Sequence, residues 1–356
     1  MRSTSRIVAV AVTALILGAC GDAAEVTIEV AAPSSTSTSA TTTSSSTTTT
    51  PPIIATDATA PTIPAWNGHD AAITWTFDDA FPSHQARVVP YLDELGRPAT
   101  FYPACSDVAR DPDGWGAVAA RHEVANHTMT HQVAGPDTDP AEVTACHDLL
   151  TDTFGAEPAT FAYPSGVVGD PFLQYSRATY VTARGTWGFP SHVEAGRTPD
   201  WYALPAHSVI PADEDPAGTR IDDTVTAIET AIAAGGWLTI VIHAIDEPGF
   251  ARMSFADLER MMAAADAADA TVWHATLADV ATHDRVRRNV DRVSPVPADD
   301  GSWTWTWSVV SGMTDVGVRL HTGTGTIVHD GARLVPDAEG FVELAPRVGA
   351  FTWIPD

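Results

Sequence analysis

An α/β fold, most economically a (β/α) barrel, is what this sequence predicts, and two observations predict it. Short continuous apolar runs alternate with amphipathic stretches through the middle of the chain, the pattern of parallel strands covered by helices on both faces. Thr76-Phe77-Asp78-Asp79, residues 126–131, residues 163–166 and His243 each follow one of those runs. That is the strand end at which barrels of this kind carry their chemistry.

The strand candidates are residues 71–77, 99–103, 123–126, 160–163, 180–183, 238–243 and 271–274, about seven units. Helical patterns fill the gaps at 84–95, 141–154, 222–234 and 254–268. Asp139-Pro140-Ala141-Glu142 reads as a helix start, with a cap, a proline at the first turn and an early acid. Asp222 and Ser254 are cap candidates for the later two helices. Beyond Arg285-Val286-Arg287-Arg288 the texture changes to short alternating runs around Gly and Asp turns, including Trp303-Thr304-Trp305-Thr306-Trp307. These predict a small C-terminal all-β module, a sandwich or half-barrel. Alternating Trp in a strand most often faces a core, so packing is expected of this ladder before carbohydrate binding.

The ends and the charge bound the rest. Arg2 and Arg6, an apolar run over 7–17 and Leu17-Gly18-Ala19-Cys20 read as an export signal with a lipidation site at Cys20. That apolar run is short of the roughly 20 residues a bilayer span needs. The Ser, Thr, Pro and Ala that follow cannot bury enough apolar surface to offset chain entropy, so a disordered tether is expected. The predicted division is 1–20 signal, 21–65 tether, 66–284 barrel and 285–356 β module. The expected location is the outer face of the cell membrane, held by a lipid anchor, with secretion as the alternative. A formal net charge of −26 argues against nucleic-acid partners, which need clustered Lys and Arg. Cys105 and Cys146 are a disulfide candidate in an exported chain.

Three segments carry the chemistry: Thr76-Phe77-Asp78-Asp79, His127-Thr128-Met129-Thr130-His131 and His243. Together they offer a carboxylate and two imidazoles for one divalent metal, a second carboxylate as base and a distant imidazole as acid. Adjacent aspartates at a strand end are expected to point to opposite sides. Histidines spaced i, i+4 are expected on one face of a helical turn. Three N/O ligands leave open positions, as in catalytic rather than structural zinc sites.

With "AITWTFDDAFPSH", "ATFYP", "HEVANHTMTH", "FAYPSG" and "LTIVIH" in this order, residues 71–283 resemble the NodB-homology polysaccharide deacetylases, carbohydrate esterase family 4. The resemblance implies the family's irregular version of the barrel. It implies Asp79, His127 and His131 as ligands of one divalent ion, with zinc the default. Asp78 becomes the general base, with a cap or a carboxylate orienting a histidine as its bland alternative. His243 becomes the general acid, with Asp246 a candidate to tune it. Pro164 aligns with the third motif, so the Ser165 N–H is expected at the oxyanion, with Tyr163 and Pro164 near the substrate. Apart from the resemblance, Trp187, Trp201 and Tyr202, in or near loops on the active-site side, are candidates for a sugar platform, with plain packing as the alternative. The remaining histidines, His84 among them, are assigned no site role.

The chain departs from the family where an Arg and a Tyr around the motif proline are replaced by Ala162 and Ser165. That leaves Asp78 without its usual cationic partner, and Arg184, after the next strand, is the candidate replacement. The function implied is removal of N-acetyl groups from the amino sugars of a polysaccharide. O-acetyl ester hydrolysis and non-catalytic sugar binding are the alternatives.

Overall fold

The computed structural model describes residues 59–186, 192–210, 220–267 and 270–356. Cys20 and Trp187 therefore lie outside the described residues. Strand β1 (Ala71–Asp78) is buried along its whole length, as an unbroken apolar run covered on both faces requires. A π turn (His84–Val88) leads into α1 (Val89–Leu95), which ends at Gly96 in the left-handed conformation. Then follow β2 (Thr100–Tyr102), α2 (Cys105–Val108), α3 (Pro112–Ala119), β3 (Glu123–Val124) and α4 (Ala141–Phe154). Next come β4 (Thr160–Ala162), α5 (Phe172–Thr179), β5 (Thr182–Arg184), β6 (His192–Glu194) and β7 (His207–Ser208). The α/β part closes with α6 (Ile221–Ala233), β8 (Gly236–Ile242), α7 (Phe255–Asp266), β9 (Val272–His274) and α8 (Leu277–Arg292).

The pairings close a ring. Parallel ladders join β3 to β2, β2 to β1, β1 to β8 and β8 to β7, and β4 to β5. Two single bridges complete the circuit, Asn126 to Phe161 and Arg184 to Leu204. The barrel is irregular because those two seams are one bridge wide. At its lower end β9 pairs residues 71–73 of β1, and β6 runs antiparallel to residues 236–238 of β8. Trp75, Phe77, Phe101, Leu238 and Ile240 are fully buried in one core, each large side chain stabilising the fold by about 1.5–3 kcal/mol.

Element positions follow the local chemistry closely. α4 begins after Asp139, whose carboxylate accepts the Ala141 N–H at 2.9 Å. α7 starts on a reciprocal box: Ser254 Oγ accepts from Asp257 N, and the Asp257 carboxylate accepts from Ser254 N, both at 3.1 Å. At α6 the expected cap Asp222 lies inside the first turn, and Asp223 instead accepts the Arg220 N–H at 3.2 Å.

The C-terminal strands are β10 (Val296–Pro297), β11 (Trp303–Thr306), β12 (Val318–His321), β13 (Gly325–His329), β14 (Ala332–Arg333), β15 (Phe341–Leu344) and β16 (Ala350–Pro355). They form an antiparallel sheet of order β10-β11-β16-β13-β14 and a separate β12-β15 pair. Trp305, Trp307, Phe351 and Trp353 are buried in one cluster with Leu277, Ala278 and Ala281 of α8 and Trp237 of β8. The Trp ladder thus packs against the barrel.

Two expected boundaries differ from the structure. The division between 284 and 285 falls inside α8, whose Asp284 is fully buried between Arg287 and Arg288. Those charges hid the helix, since its buried residues mix Asp284, Arg287 and Arg288 with the apolar ones. The expected tether, carried to residue 65 on composition, is already structured from Thr59. Thr62 bridges to His321, and Ile63 is buried. Composition does not register a bridge to a strand more than 250 residues away.

Candidate metal centre and active site

Six strand ends deliver the site. Asp78 ends β1, His127 follows β3, Ser165 follows β4, Arg184 ends β5, Ser208 ends β7 and His243 follows β8. A cavity of about 330 Å³ is lined by Asp78, Asp79, His127, His131, Ser165 and His243, with Thr186, Ser208, Ile210 and Phe250 completing the wall. That is at the small end of the roughly 300–1,000 Å³ usual for ligand pockets.

Asp79 faces both imidazoles. Its Oδ1 lies 3.5 Å from His127 Nε2 and 3.4 Å from His131 Nε2, and one donor atom from each of the three residues falls within 4.8 Å of the others. His127 Nδ1 lies 2.8 Å from the Ala162 carbonyl. A carbonyl only accepts, so Nδ1 carries the proton and Nε2 presents its lone pair towards Asp79. This donor set fits a divalent metal with open positions. Its electrostatics agree. Burial would raise the Asp79 pKa, but the three surrounding histidines outweigh it and hold the carboxyl well below the usual range. Burial opposes charge on His127, yet Asp79 and Asp78 hold its pKa above the ordinary imidazole value. The site favours positive charge at this point.

Two local expectations are corrected. The His127–His131 segment is not a helical turn but a bent loop, with Thr128 at φ 67 and His131 at φ 61. The aspartates do not point apart, because Asp79 leaves the strand conformation at φ 70. Both carboxylates therefore line one cavity.

Asp78 is 2% exposed and ion-paired to the fully buried Arg184, whose Nη2 donates to Oδ1. The guanidinium lies 4.7 Å over the Tyr102 ring, and Tyr102 Oη is spent on Thr160 at 2.7 Å. The cation missing from the third motif thus arrives from β5. Across the cavity His243 Nε2 lies 4.0 Å from Asp79 Oδ2. Burial lowers its pKa despite the nearby Asp78 and Asp79.

His84, assigned no role from sequence, is buried beneath this histidine and its Nε2 donates to the His243 carbonyl at 2.9 Å. Burial holds its pKa at about 4, so it stays neutral. Nothing in the spacing of His84 marks it, since the contact spans 159 residues. Asp246 instead pairs with Arg87 at the surface. Phe250, 55% exposed, stands edge-on to the His243 ring at 4.8 Å.

Ser165 sits at φ 54 in a 3-10 turn (Pro164–Gly166) and reaches the cavity. Pro164 has no N–H and Gly166 N donates to the Tyr163 carbonyl at 2.8 Å, so the Ser165 N–H is the one that the turn offers to a ligand. Gly166 allows the turn to press against the segment that follows β5, since a Cβ there would run into Thr186. Tyr163 and Pro164, expected near substrate, are buried and outside the cavity wall. Tyr163 packs on Phe161 at 4.9 Å. Tyr163 stands two residues after Phe161 and shares its buried cluster. Trp201 and Tyr202, the candidate platform, are covered by the Arg285 guanidinium at 4.3 and 5.5 Å.

Residues 67–183 match the family model described as "Polysaccharide deacetylase". Arg184 and His243 lie beyond that match. A gellan lyase from Bacillus sp is 25% identical over 192 residues, which is 50% of this chain but only 8% of the length of that relative. Among solved structures, the Puue allantoinase superposes with a TM-score of 0.50 at 16% identity, covering 63% of this chain and 93% of its own, which shows the shared fold. The peptidoglycan deacetylase PdaC from Bacillus subtilis gives a TM-score of 0.43 at 16% identity, covering 63% of this chain and 96% of its own.

Proposed function

Because the chain carries a polysaccharide deacetylase domain over residues 67–183, we propose that it is a metal-dependent hydrolase removing N-acetyl groups from amino sugars of a cell-envelope or extracellular polysaccharide. The observation that carries this reading is the gathering of Asp79, His127 and His131 in one cavity with an arginine-held Asp78 and His243.

A divalent ion, with zinc the natural choice, held by Asp79, His127 and His131 would polarise the acyl carbonyl and acidify water. Asp78 takes the proton of the attacking water. Arg184 fixes which oxygen remains free to do so, because Oδ1 is committed to the guanidinium. The Ser165 N–H donates to the oxygen that gains charge as the carbonyl becomes tetrahedral. His243, on the far side of Asp79, gives its proton to the departing amine. His84 keeps the His243 backbone in place.

The same reading extends to location. Lipidation at Cys20 would hold the protein at the outer face of the cell membrane. The Cys105–Cys146 disulfide supports an oxidising compartment. Replacing Cys20 by Ser should move the protein from the membrane to the soluble fraction.

The test is acetate release from chito-oligosaccharides and peptidoglycan fragments by the zinc-loaded protein, with Asp78→Asn as control. Release that the substitution abolishes supports N-deacetylation and ranks the substrates. Turnover of O-acetyl esters without amides would replace it with an esterase. A protein that binds no metal would sink the reading altogether.

A further inference from the structure

We infer that the Cys105–Cys146 disulfide and Glu142 form a clamp that positions the two metal-binding histidines, so that the metal site is built from outside the ligand set. The inference rests on the metal centre read above.

The ligand loop is strained and must be held. Thr128 and His131 are both left-handed, at φ 67 and φ 61. Such conformations cost about 1–3 kcal/mol each for residues with a Cβ, and persist only where the surroundings over-determine them. The surroundings here are two helices. From one side, the first N–H groups of α2 donate into the loop: Cys105 N to the Thr128 carbonyl at 3.0 Å and Ser106 N to the Met129 carbonyl at 2.9 Å. From the other side, Glu142 in the first turn of α4 takes three hydrogen bonds. Its carbonyl accepts from Met129 N at 2.7 Å, and its carboxylate accepts from Thr130 N at 2.8 Å and Thr130 Oγ1 at 2.9 Å.

The disulfide joins these two jaws. Cys105 opens α2, and Cys146 lies on α4 one turn beyond Glu142, on the same helix face. Both cysteines are fully buried. The bond therefore fixes the distance between the two elements that grip residues 128–130, and the ligands His127 and His131 flank that gripped segment. Asn126 pins the entry to the loop, donating to the Val143 carbonyl and accepting from Thr128 N, both at 2.9 Å. Releasing either jaw lets Thr128 and His131 relax towards ordinary backbone, which moves both Nε2 atoms relative to Asp79.

The experiment measures binding of Zn²⁺ alone, by competition with a chromophoric chelator, and the visible spectrum of the Co²⁺-loaded protein. It compares the wild type with Cys105→Ala/Cys146→Ala and with Glu142→Ala, which retains the disulfide and covers the case in which the first variant fails to fold. Arg260→Ala, breaking an exposed pair with Asp222 on a distant helix, is the control for general destabilisation. Metal affinity should fall about 10–100-fold in the clamp variants, the range usual for residues that orient metal ligands. The cobalt bands should shift, and both should be unchanged in the control. Wild-type affinity and an unshifted spectrum in Glu142→Ala would overturn the clamp while leaving the metal centre standing. A wild type that binds no metal would instead remove the reading on which the clamp rests.

Discussion

Arg184 approaches Asp78 from beneath, its guanidinium fully buried on the Tyr102 ring and bonded to a single carboxylate oxygen. Arg184 is fully buried and Asp78 meets only the cavity, so each partner depends on the other. Removing one side of a buried pair costs about 3–5 kcal/mol because the remaining charge is left uncompensated. Arg184→Ala should therefore lower the melting temperature and reduce kcat by about 10²–10⁴-fold, the range of general-base catalysis. Asp78→Asn in that background should cost little more activity, since both changes disable one unit. Acetate-release kinetics on the two single variants and the double variant check this.

Metal removal should separate activity from folding. Asp79 and His131 are only partly buried at the cavity, away from the main apolar core. Chelation should abolish turnover while leaving the far-ultraviolet circular dichroism unchanged, and Zn²⁺ should restore it. Added metal at 100 times its Kd should stabilise the fold by about 2.7 kcal/mol. Asp79→Ala should lose that increment in a thermal melt.

Two fully buried histidines, His84 and His283, and the partly buried His274 predict acid lability. Burial depresses His84 and His274 to about 4 and His283 to about 3. Below the unfolded value near 6.5 the unfolded chain binds protons that the folded chain refuses, so stability is lost as pH falls from about 6.5 towards 4. Melting temperature should drop steeply across that window. His283→Gln should flatten part of the slope; an unaltered slope would mean that His283 is not one of the groups responsible.

The C-terminal strands should not be separable from the barrel. Trp305, Trp307 and Phe351 share a buried cluster with α8 and Trp237. Truncation after residue 293 would expose several large apolar side chains, each worth about 1.5–3 kcal/mol. A truncated chain should be insoluble or should melt well below the full chain. A truncated barrel that is soluble and equally stable would contradict the shared core.

The sequence told most where one local rule acts alone. The helix over 141–154 is found at the expected residues, because Asp139 and Pro140 punctuate its start and Gly155 its end. The grouping of Asp79, His127 and His131 was readable because they sit in short contiguous words. What escaped depends on distant partners. His84 meets His243 across 159 residues, and the buried charges of α8 disguise its inner face. The loop at His127 imitates helical spacing while adopting left-handed backbone at Thr128. Arg184 could be expected from a need for positive charge, but its seat on Tyr102 could not.

The segment from Thr59 to Trp66 is fastened at the N-terminal ends of the barrel strands. Thr62 bridges to His321, and the Trp66 indole donates to the Gly235 carbonyl, just before β8 begins. Asp78, His127, Ser165 and His243, which line the cavity, stand at the opposite ends of the strands. Thr62 and Trp66 thus brace the fold from the side remote from the cavity, so loosening them would weaken the molecule without touching the wall that a ligand would meet.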